Sequence, residues 1–445
     1  MLLRFTVENF MSFKDAVEFN LFPSSKSHNH DNHRMVCGSV TGLRMSAMYG
    51  ANGAGKSNLI VAMTFLQNII RFGLNVNGNL EDFRFRFCDE YKSKPTSFAI
   101  EFSIGEDILY YQIEFDGKFI TYETLSRSLK STDDLIFSRG TKSSGKMKLK
   151  LAQKHFANKL TADFEDAIIR ILRPDQTLLQ LFGEFYPSSS EVIANAFAWI
   201  VKRLKILTPN MGAETLPFML YNNQEFLKMV NKELPLLKTG VDSLVVNSEE
   251  LVLPEAQTIY KEEIEKAKKE PGTPIPTNRT MYDGIANIVF VDGHLLKMTM
   301  QPQHKMVDGH LETTPYTFES DGTHRLIDFM PMLYYLNDKD NVFIVDEIER
   351  SIHPIMIKEL MRTISDSETI KGQLIFTTHE SCLLDQDIFR PDEIWFAQKD
   401  VEQATQLYPL SDFNIHNTAN IENGYLQGRY GGIPFLSNLN DLNWK

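Results

Sequence analysis

The sequence predicts an α/β fold in which a parallel sheet is joined by an antiparallel β lobe and a helical insertion. Three observations carry that expectation. An apolar run at 43–49 leads into a glycine-rich segment and then into a helix beginning near Lys56. From about Arg325 the chain alternates helix and strand, with strands expected at 342–346, 373–378 and 393–397, the pattern of a parallel α/β sheet. Between them, Phe98, Ile100 and Phe102 fall on alternate positions, as do Leu109, Tyr111, Ile113 and Phe115. Asp116-Gly117 then supplies a hairpin turn, so this part reads as an antiparallel meander and a separate β lobe.

Taken in order, the chain begins with Leu3, Phe5 and Val7 on one face of a strand, followed by a bend over Asn9, Phe10, Met11, Ser12 and Phe13. Residues 23–33 are polar and read as a loop. From about 151 to 270 the periodicity becomes helical, with Val192, Ala196, Trp199 and Leu204 on one helical face. Residues 254–270 form a charged helix in which Glu262–Lys266 and Glu265–Lys269 are paired at i,i+4. Pro271-Gly272-Thr273-Pro274 ends it. Strands return near 288–292 with an Asp292-Gly293 turn. The expected organisation is an N-terminal part at 1–150, a helical insertion at 151–280 and a C-terminal part at 281–445. No sustained heptad array is present, so no long coiled-coil arm is expected.

Composition narrows the function classes. The 445 residues would suffice for about three domains or one large two-lobed unit. With 42% apolar and 11% aromatic residues the chain can build a substantial core. Its 46 Lys+Arg against 58 Asp+Glu give a net charge of −12, which argues against binding nucleic acid by bulk charge but leaves a local basic groove open. The three cysteines, Cys37, Cys88 and Cys382, are far apart and suggest a reducing, cytoplasmic setting. No run of 18 or more uncharged apolar residues is present, so no membrane span is expected. The N-terminus, with Arg4 and Glu8 inside its apolar stretch, reads as a strand and not as a signal peptide.

The glycine-rich segment is Gly50-Ala51-Asn52-Gly53-Ala54-Gly55-Lys56-Ser57, which fits G-x-x-x-x-G-K-[ST]. Such a loop turns successive N–H groups inward, and the helix that follows adds the positive end of its dipole. Lys56 would reach the β- and γ-phosphates and Ser57 would ligate Mg²⁺. A glycine-rich turn that merely caps a helix would use the same residues. The partner motif is the apolar strand Val342-Phe343-Ile344-Val345 ending in Asp346-Glu347. Asp346 would serve the Mg²⁺ shell and Glu347 would polarise the attacking water. Lys56 and Asp346 lie 290 positions apart, too far for a compact GTPase or kinase. His379, just beyond the next strand in Thr378-His379-Glu380, is placed to touch the γ-phosphate or else caps that strand.

These motifs resemble the SMC/RecF-like, ABC-type ATPases. Glu8-Asn9-Phe10-Met11-Ser12-Phe13-Lys14 is similar to their N-terminal strand and bend. Tyr49 to Leu59 resembles their Walker A, Asp346-Glu347-Ile348-Glu349 with His353-Pro354 their Walker B and its sequel, and His379 their switch histidine. Glu319-Ser320-Asp321-Gly322-Thr323-His324-Arg325-Leu326 looks like the ABC signature, with Asp321-Gly322 in place of two glycines. It takes the form seen in ATPases of bacterial phage-defence operons: RloA, AbiLi and the AriA subunit of PARIS systems. The segment from Tyr425 to Pro434 is similar to the ending of that subgroup. No Q-loop glutamine stands out between Ser57 and Phe102.

The resemblance implies an ABC-type P-loop ATPase head using ATP and Mg²⁺. Gly50, Asn52, Gly53, Ala54, Gly55, Lys56, Ser57 and Asn58 would hold the nucleotide, with Ser57 and Asp346 on the metal and Glu347 and His379 in catalysis. Ser320, Gly322 and Thr323 would face the γ-phosphate held by a second copy, so that a homodimer or higher homo-oligomer sandwiches ATP. A helix cap made by Ser320 or Thr323 is the plainer reading of the same residues. The subgroup implies a cytoplasmic bacterial sensor or scaffold that answers a phage-encoded trigger and controls a separate nuclease or toxin. Only about fifty residues follow the last core strand, too few for a nuclease module. A RecF/SMC-like DNA-repair ATPase, a non-catalytic ATP-dependent scaffold and a transporter subunit are the rival readings, and DNA stays a possible partner.

Weaker constellations remain. His28, His30, His33 and Cys37 contain zinc-type ligands at no standard spacing and read as a solvated loop. Lys142, Lys146, Lys148, Lys150 and Lys154 form the most basic stretch, either a mobile hairpin or a contact for nucleic acid or a partner. Gly428-Arg429-Tyr430-Gly431 is either a turn packing the tail or an Arg reaching nucleotide or partner.

Overall fold

The computed structural model describes all residues except 28, 75–79, 130–131, 143, 158, 210, 253, 278–283, 339, 417–418 and 434–445. His28 and Pro434 therefore lie outside the described residues. In chain order the first strands are β1 (Leu2–Glu8), β2 (Val17–Asn20), β3 (Arg34–Cys37), β4 (Val40–Leu43), β5 (Met45–Gly50), β6 (Thr96–Ile104), β7 (Asp107–Phe115), β8 (Ile120–Arg127), β9 (Asp134–Thr141) and β10 (Met147–Leu151). There follow β11 (Leu204–Leu207), β12 (Ser243–Glu250), β13 (Ile275–Thr277), β14 (Ala286–Val291), β15 (His294–Lys305), β16 (Leu311–Thr313), β17 (Val342–Val345), β18 (Gln373–Thr377), β19 (Ile394–Lys399) and β20 (Thr405–Pro409). The chain divides into two compact units, one of Met1–Thr208, Leu336–Ile348 and Lys358–Lys445, the other of Pro209–Tyr335 and Glu349–Ile357.

The first unit is α/β, as expected. Its parallel sheet runs β11-β17-β18-β5-β19, with β20 added antiparallel at the edge. β5 is central and covered on both faces, which is why every one of its residues is buried and its sequence does not alternate. Its second sheet is antiparallel, in the order β10-β9-β8-β7-β6-β1-β2. The expected β lobe is thus not separate: β1 pairs along β6, Phe5 opposite Ile100 and Val7 opposite Phe98. A separate lobe would have left that edge of β6 unpaired.

A buried glutamine links the two sheets. Gln373, at the start of β18, donates from Nε2 to the carbonyls of Leu2 (2.9 Å) and Leu43 (2.7 Å). Its Oε1 accepts from the Leu2 N–H at 2.8 Å. Between the sheets lies the helix Lys56–Phe72, whose Leu59, Ile60, Met63, Leu66 and Ile70 recur at helical spacing and are buried. Phe65 of this helix meets Phe10 (5.1 Å between ring centres), Phe83 (5.0 Å) and Phe115 (6.1 Å), so the bend after β1 is anchored by aromatic packing.

The second unit is built on a sheet ordered β12-β15-β14-β13, with β16 paired to β15. Asp292 (φ 51°) and Gly293 (φ 87°) make the expected tight turn between β14 and β15. The helix Asp321–Tyr335 buries Ile327 and Met330 with Leu216, Leu220, Phe226 and Val230.

The region expected to be a helical insertion, 151–280, departs from that reading. Its first part, to Thr208, belongs to the first unit, and β11 pairs with β17 as an edge of the parallel sheet. The run through Val192 and Ala196 is helical only as far as Ala198; a wide turn at Trp199–Arg203 follows, and Leu204 opens β11. Beyond it the region carries β12 and β13 as well as helices. The charged helix expected over 254–270 is two helices, Pro254–Ile259 and Lys261–Lys269, broken where the buried Tyr260 turns under Lys297 (ammonium 5.3 Å from the ring centre).

Among the described residues no helix is long and apolar enough to cross a membrane. The basic hairpin is β9–β10. Lys148 and Lys150 are exposed and alternate with buried Leu149 and Leu151 on an edge strand, where lysines discourage edge-to-edge pairing. Lys154 pairs with Asp134 at 2.6 Å.

Candidate nucleotide site

In a parallel sheet the C-terminal ends of the strands point the same way, and the loops that follow them gather there. The segment 51–55 leaves β5, Asp346 and Glu347 leave β17, and His379 leaves β18. The helix start that follows the first of these is in direct contact with the second. Ser57 Oγ donates to Asp346 Oδ1 at 3.1 Å, across 289 positions of sequence.

The loop before Lys56 adopts the conformation its glycines permit. Gly53 (φ 78°) and Gly55 (φ 107°) lie in the left-handed region. A Cβ at Gly55 would also stand 2.2 Å from the Thr405 hydroxyl, so no other residue fits there. A Cβ at Gly53 would meet nothing within 4 Å, which leaves that side of the loop open to approach. Asn52 is exposed, Ala54 buried, and Asn58 donates from Nδ2 to Ser12 Oγ at 2.7 Å. Lys56 is only 5% exposed; its ammonium donates to the carbonyls of Gly50 (2.7 Å) and Ala51 (3.3 Å), which curls the loop round its own lysine.

Asp346 is buried and its Oδ1 also accepts from the Thr377 hydroxyl at 2.5 Å. Thr377 Oγ1 in turn accepts from the Glu347 N–H at 2.8 Å. Glu347 is a non-glycine residue at φ 50°, a conformation that costs of order 1 kcal/mol and persists because the Thr377 bond and the Ile348 N–H to the Thr377 carbonyl (3.1 Å) hold it. Its side chain is half-buried at the strand end. His379 is exposed in the loop after β18, one residue beyond Thr378, whose N–H donates to the Met48 carbonyl at 3.0 Å.

The hydroxyl of Ser57 and the carboxylate of Asp346 are hard oxygen donors at one point, which suits Mg²⁺. Ser12, Thr377 and Thr405 escaped sequence reasoning. Each is a lone hydroxyl residue whose importance comes from what the fold brings to it, and no spacing pattern marks it.

The signature-like segment lies in the second unit. Ser320 Oγ accepts from the Thr323 N–H at 3.2 Å and touches Thr323 Oγ1 at 3.0 Å, so Ser320 caps the helix Asp321–Tyr335, which begins four residues earlier than expected. Thr323 is buried and its N–H is thereby used. A Cβ at Gly322 would stand 2.6 Å from the Ser351 carbonyl, so glycine is required. His324 stacks on Tyr316 with ring centres 4.3 Å apart.

The histidine-rich loop is not simply solvated. His33 is fully buried, its Nδ1 bonded to Glu393 at 2.9 Å and its Nε2 to the Ser365 hydroxyl at 3.0 Å. His30 bonds the Gln386 carbonyl, and the Cys37 thiol sits 3.4 Å from Met1 Sδ. Among the described residues no group of three or more His, Cys, Asp or Glu is arranged to hold a metal.

In the tail, Arg429 is exposed while Tyr430 is buried and stacked over Phe396 (6.2 Å). Tyr408 donates its hydroxyl to the Tyr430 carbonyl at 2.9 Å, and Tyr425 stacks on Phe396 and stands edge-on to Tyr49, the residue before the glycine-rich loop.

A family model described as "AAA domain, putative AbiEii toxin, Type IV TA system" matches residues 45–385. No curated protein matches the chain. Similar solved structures include the SMC head bound to the C-winged helix domain of ScpA (13% identity, TM-score 0.43), with 92% of this chain and 97% of that one covered. The SMC head domain from Thermotoga maritima is 11% identical, with TM-score 0.40 and coverages of 93% and 99%. An SMC head with an extended coiled coil, bound to the C-terminal domain of ScpA derived from Pyrococcus furiosus, is 13% identical, with TM-score 0.38 and coverages of 92% and 96%.

Proposed function

The chain belongs to the family described as AAA domain, putative AbiEii toxin, Type IV TA system, and from that premise we propose that it binds and hydrolyses ATP. The observation that carries the reading is the 3.1 Å contact between Ser57 and Asp346, which joins two phosphate-site motifs that the sequence keeps 289 positions apart.

The loop Gly50, Asn52, Gly53, Ala54 and Gly55, with the start of the helix that begins at Lys56, cradles the phosphates, the Ala54 N–H giving up its bond to the Ala51 carbonyl. Lys56 gives up its bonds to the Gly50 and Ala51 carbonyls for the β- and γ-phosphate oxygens, and Asn58 steadies the loop from the first helical turn. Ser57 and Asp346 hold Mg²⁺, which when bound neutralises charge on the β- and γ-phosphate oxygens. Glu347, aimed from its left-handed turn, accepts the proton of the attacking water. His379, from the neighbouring strand end, donates to the γ-phosphate.

Two copies then sandwich ATP, with Ser320 and Gly322 of one copy facing the γ-phosphate held by the other and Thr323 setting the turn. In this reading the protein is the sensor or scaffold of a bacterial anti-phage system. A phage-encoded trigger alters the ATP-bound assembly, which controls a separate toxin or nuclease. The family's description as toxin-linked supports the defence context.

The test is ATP binding and phosphate release by the full chain, with plaque counts on bacteria carrying the gene and its neighbours. Lys56→Ala is expected to abolish binding and protection together. Unchanged ATP affinity in that variant refutes the site. DNA-stimulated turnover without phage protection would favour the DNA-repair alternative, for which the exposed lysines of β10 offer a contact.

A further inference from the structure

The turn between β19 and β20 brings Thr405, which is fully buried, against the glycine-rich loop from a position 351 residues downstream of Ala54. Its Oγ1 lies 2.8 Å from the Ala54 carbonyl and 2.8 Å from Ser12 Oγ. Asn58 Nδ2 reaches that same Ser12 Oγ at 2.7 Å, and the Thr405 N–H donates to the Ser12 carbonyl at 2.8 Å.

A hydroxyl has one proton to give. The Ala54 carbonyl can only accept, so Thr405 donates to it. Ser12 must then donate to Thr405, and the Asn58 amide donates to Ser12. The chain of bonds runs one way, Asn58 to Ser12 to Thr405 to Ala54, and ends on the loop itself. Thr405 also fills the space in which Gly55 has no side chain. The loop's turn at Ala54–Gly55 is therefore held from outside by a residue that belongs to neither phosphate-site motif.

We propose that Thr405 is a positioning residue of the nucleotide loop: its hydroxyl, not its bulk, holds the Ala54–Gly55 turn in the form that presents N–H groups to phosphate. The proposal rests on the ATP-site reading above. Thr405 touches no reacting atom, so its loss acts on nucleotide affinity and leaves the chemical step in place. Because Thr405 is the terminal donor, its removal takes the bond to Ala54. Removing Ser12 takes only the support behind that bond.

The experiment measures ATP·Mg²⁺ dissociation constants by equilibrium dialysis, and KM and kcat by phosphate release, with folding followed by circular dichroism. Thr405→Val, nearly isosteric, is expected to raise Kd and KM about tenfold, the equivalent of one buried hydrogen bond. Its kcat at saturation is expected to stay within about twofold of the parent, and Thr405→Ser to restore affinity to within about twofold. Ser12→Ala is expected to weaken binding only about twofold. The double variant is expected to match Thr405→Val alone, since both act on one chain of bonds. Should the valine variant fail to fold, Thr405→Ser against Thr405→Ala makes the same comparison with the methyl group absent from both. Parental affinity in Thr405→Val, a loss confined to kcat, or a serine variant as weak as the valine variant overturns the proposal. A parental chain that binds no ATP, or a Lys56→Ala chain that binds it fully, overturns the underlying reading instead.

Discussion

The Thr377 hydroxyl donates to the Asp346 carboxylate at 2.5 Å while accepting the Glu347 N–H at 2.8 Å. One side chain on β18 thus fixes both acidic residues that end β17: the first through its carboxylate, the second through its backbone. Thr377→Val keeps the shape and removes both bonds. We expect kcat for ATP hydrolysis to fall about tenfold or more, from a loss of about 1–3 kcal/mol in the placing of the two acids. Phosphate-release kinetics check it, and a parental kcat would show that neither acid needs this support.

Glu347→Gln is expected to bind ATP at near-parental affinity and to lower kcat by roughly 10²–10⁴, the range of a lost general base. Single-turnover hydrolysis decides the matter. Turnover at the parental rate would remove Glu347 from the chemistry.

Ser320 offers a separation of roles. Ser320→Ala loses the helix cap and is expected to cost about 1 kcal/mol in urea denaturation. Ser320→Asp keeps a capping oxygen and is expected to retain stability, but it sets a negative charge where a γ-phosphate would approach. ATP-driven dimerisation, followed by light scattering, is expected to be lost in the Asp variant. A stable Asp variant that dimerises with ATP as the parent does would leave Ser320 as a cap alone.

The Met1 ammonium is buried and donates to the Ser103 carbonyl at 2.9 Å, and burial pushes it down from 8.0 to about 6. Between those values the unfolded chain binds more protons than the folded one, so stability rises as pH climbs from about 6 to about 8 and is indifferent to this group outside that window. The difference corresponds to about 2–3 kcal/mol. Comparing urea unfolding of Nα-acetylated and free chains from pH 5.5 to 8.5 isolates it. The acetylated chain is expected to lose that part of the slope, and identical slopes would rule the amine out.

Tyr430→Ala removes a buried ring from Phe396 and Phe413 and is expected to cost about 3–4 kcal/mol, with faster proteolytic cleavage near the C-terminal turn. An unchanged urea midpoint would show that the tail contributes no packing.

How much of this was legible beforehand follows from where the information sits. Gly50 to Ser57 is contiguous, and its chemistry is a property of spacing, so the loop and the helix after it are readable directly. The strand ending in Asp346 is readable because a run of apolar residues ends abruptly in two acids. Leu204 was not readable as a strand residue: it continues a helical spacing from Trp199, and only an available edge of β17 turns it into β11. The break at Tyr260 was hidden in the same way, since the i,i+4 pairs that follow it and the helix-forming residues before it give no sign that the ring is buried under Lys297. Thr377 and Thr405 carry no local signature at all, and Ser12, though it lies in the recognisable bend after β1, is not marked there as a partner of the loop. The capping role of Ser320 was readable as one of two alternatives, because a serine three residues before a threonine at a helix start fits both.

The central place of β5 has a consequence for synthesis on the ribosome. This strand is made early, yet its two neighbours, β18 and β19, come more than 300 residues later. At about 5–20 residues per second the nascent chain spends roughly 20–70 s with both edges of that apolar strand bare. For most of that interval the glycine-rich loop lacks Asp346, and for all of it Thr377 and Thr405, the residues that meet Ser57, Asp346 and Ala54 in the folded chain. The contacts that hold the loop are therefore complete only close to the end of translation, and a chain cut short before Thr405 carries the glycine-rich motif without the hydroxyl that bonds the Ala54 carbonyl.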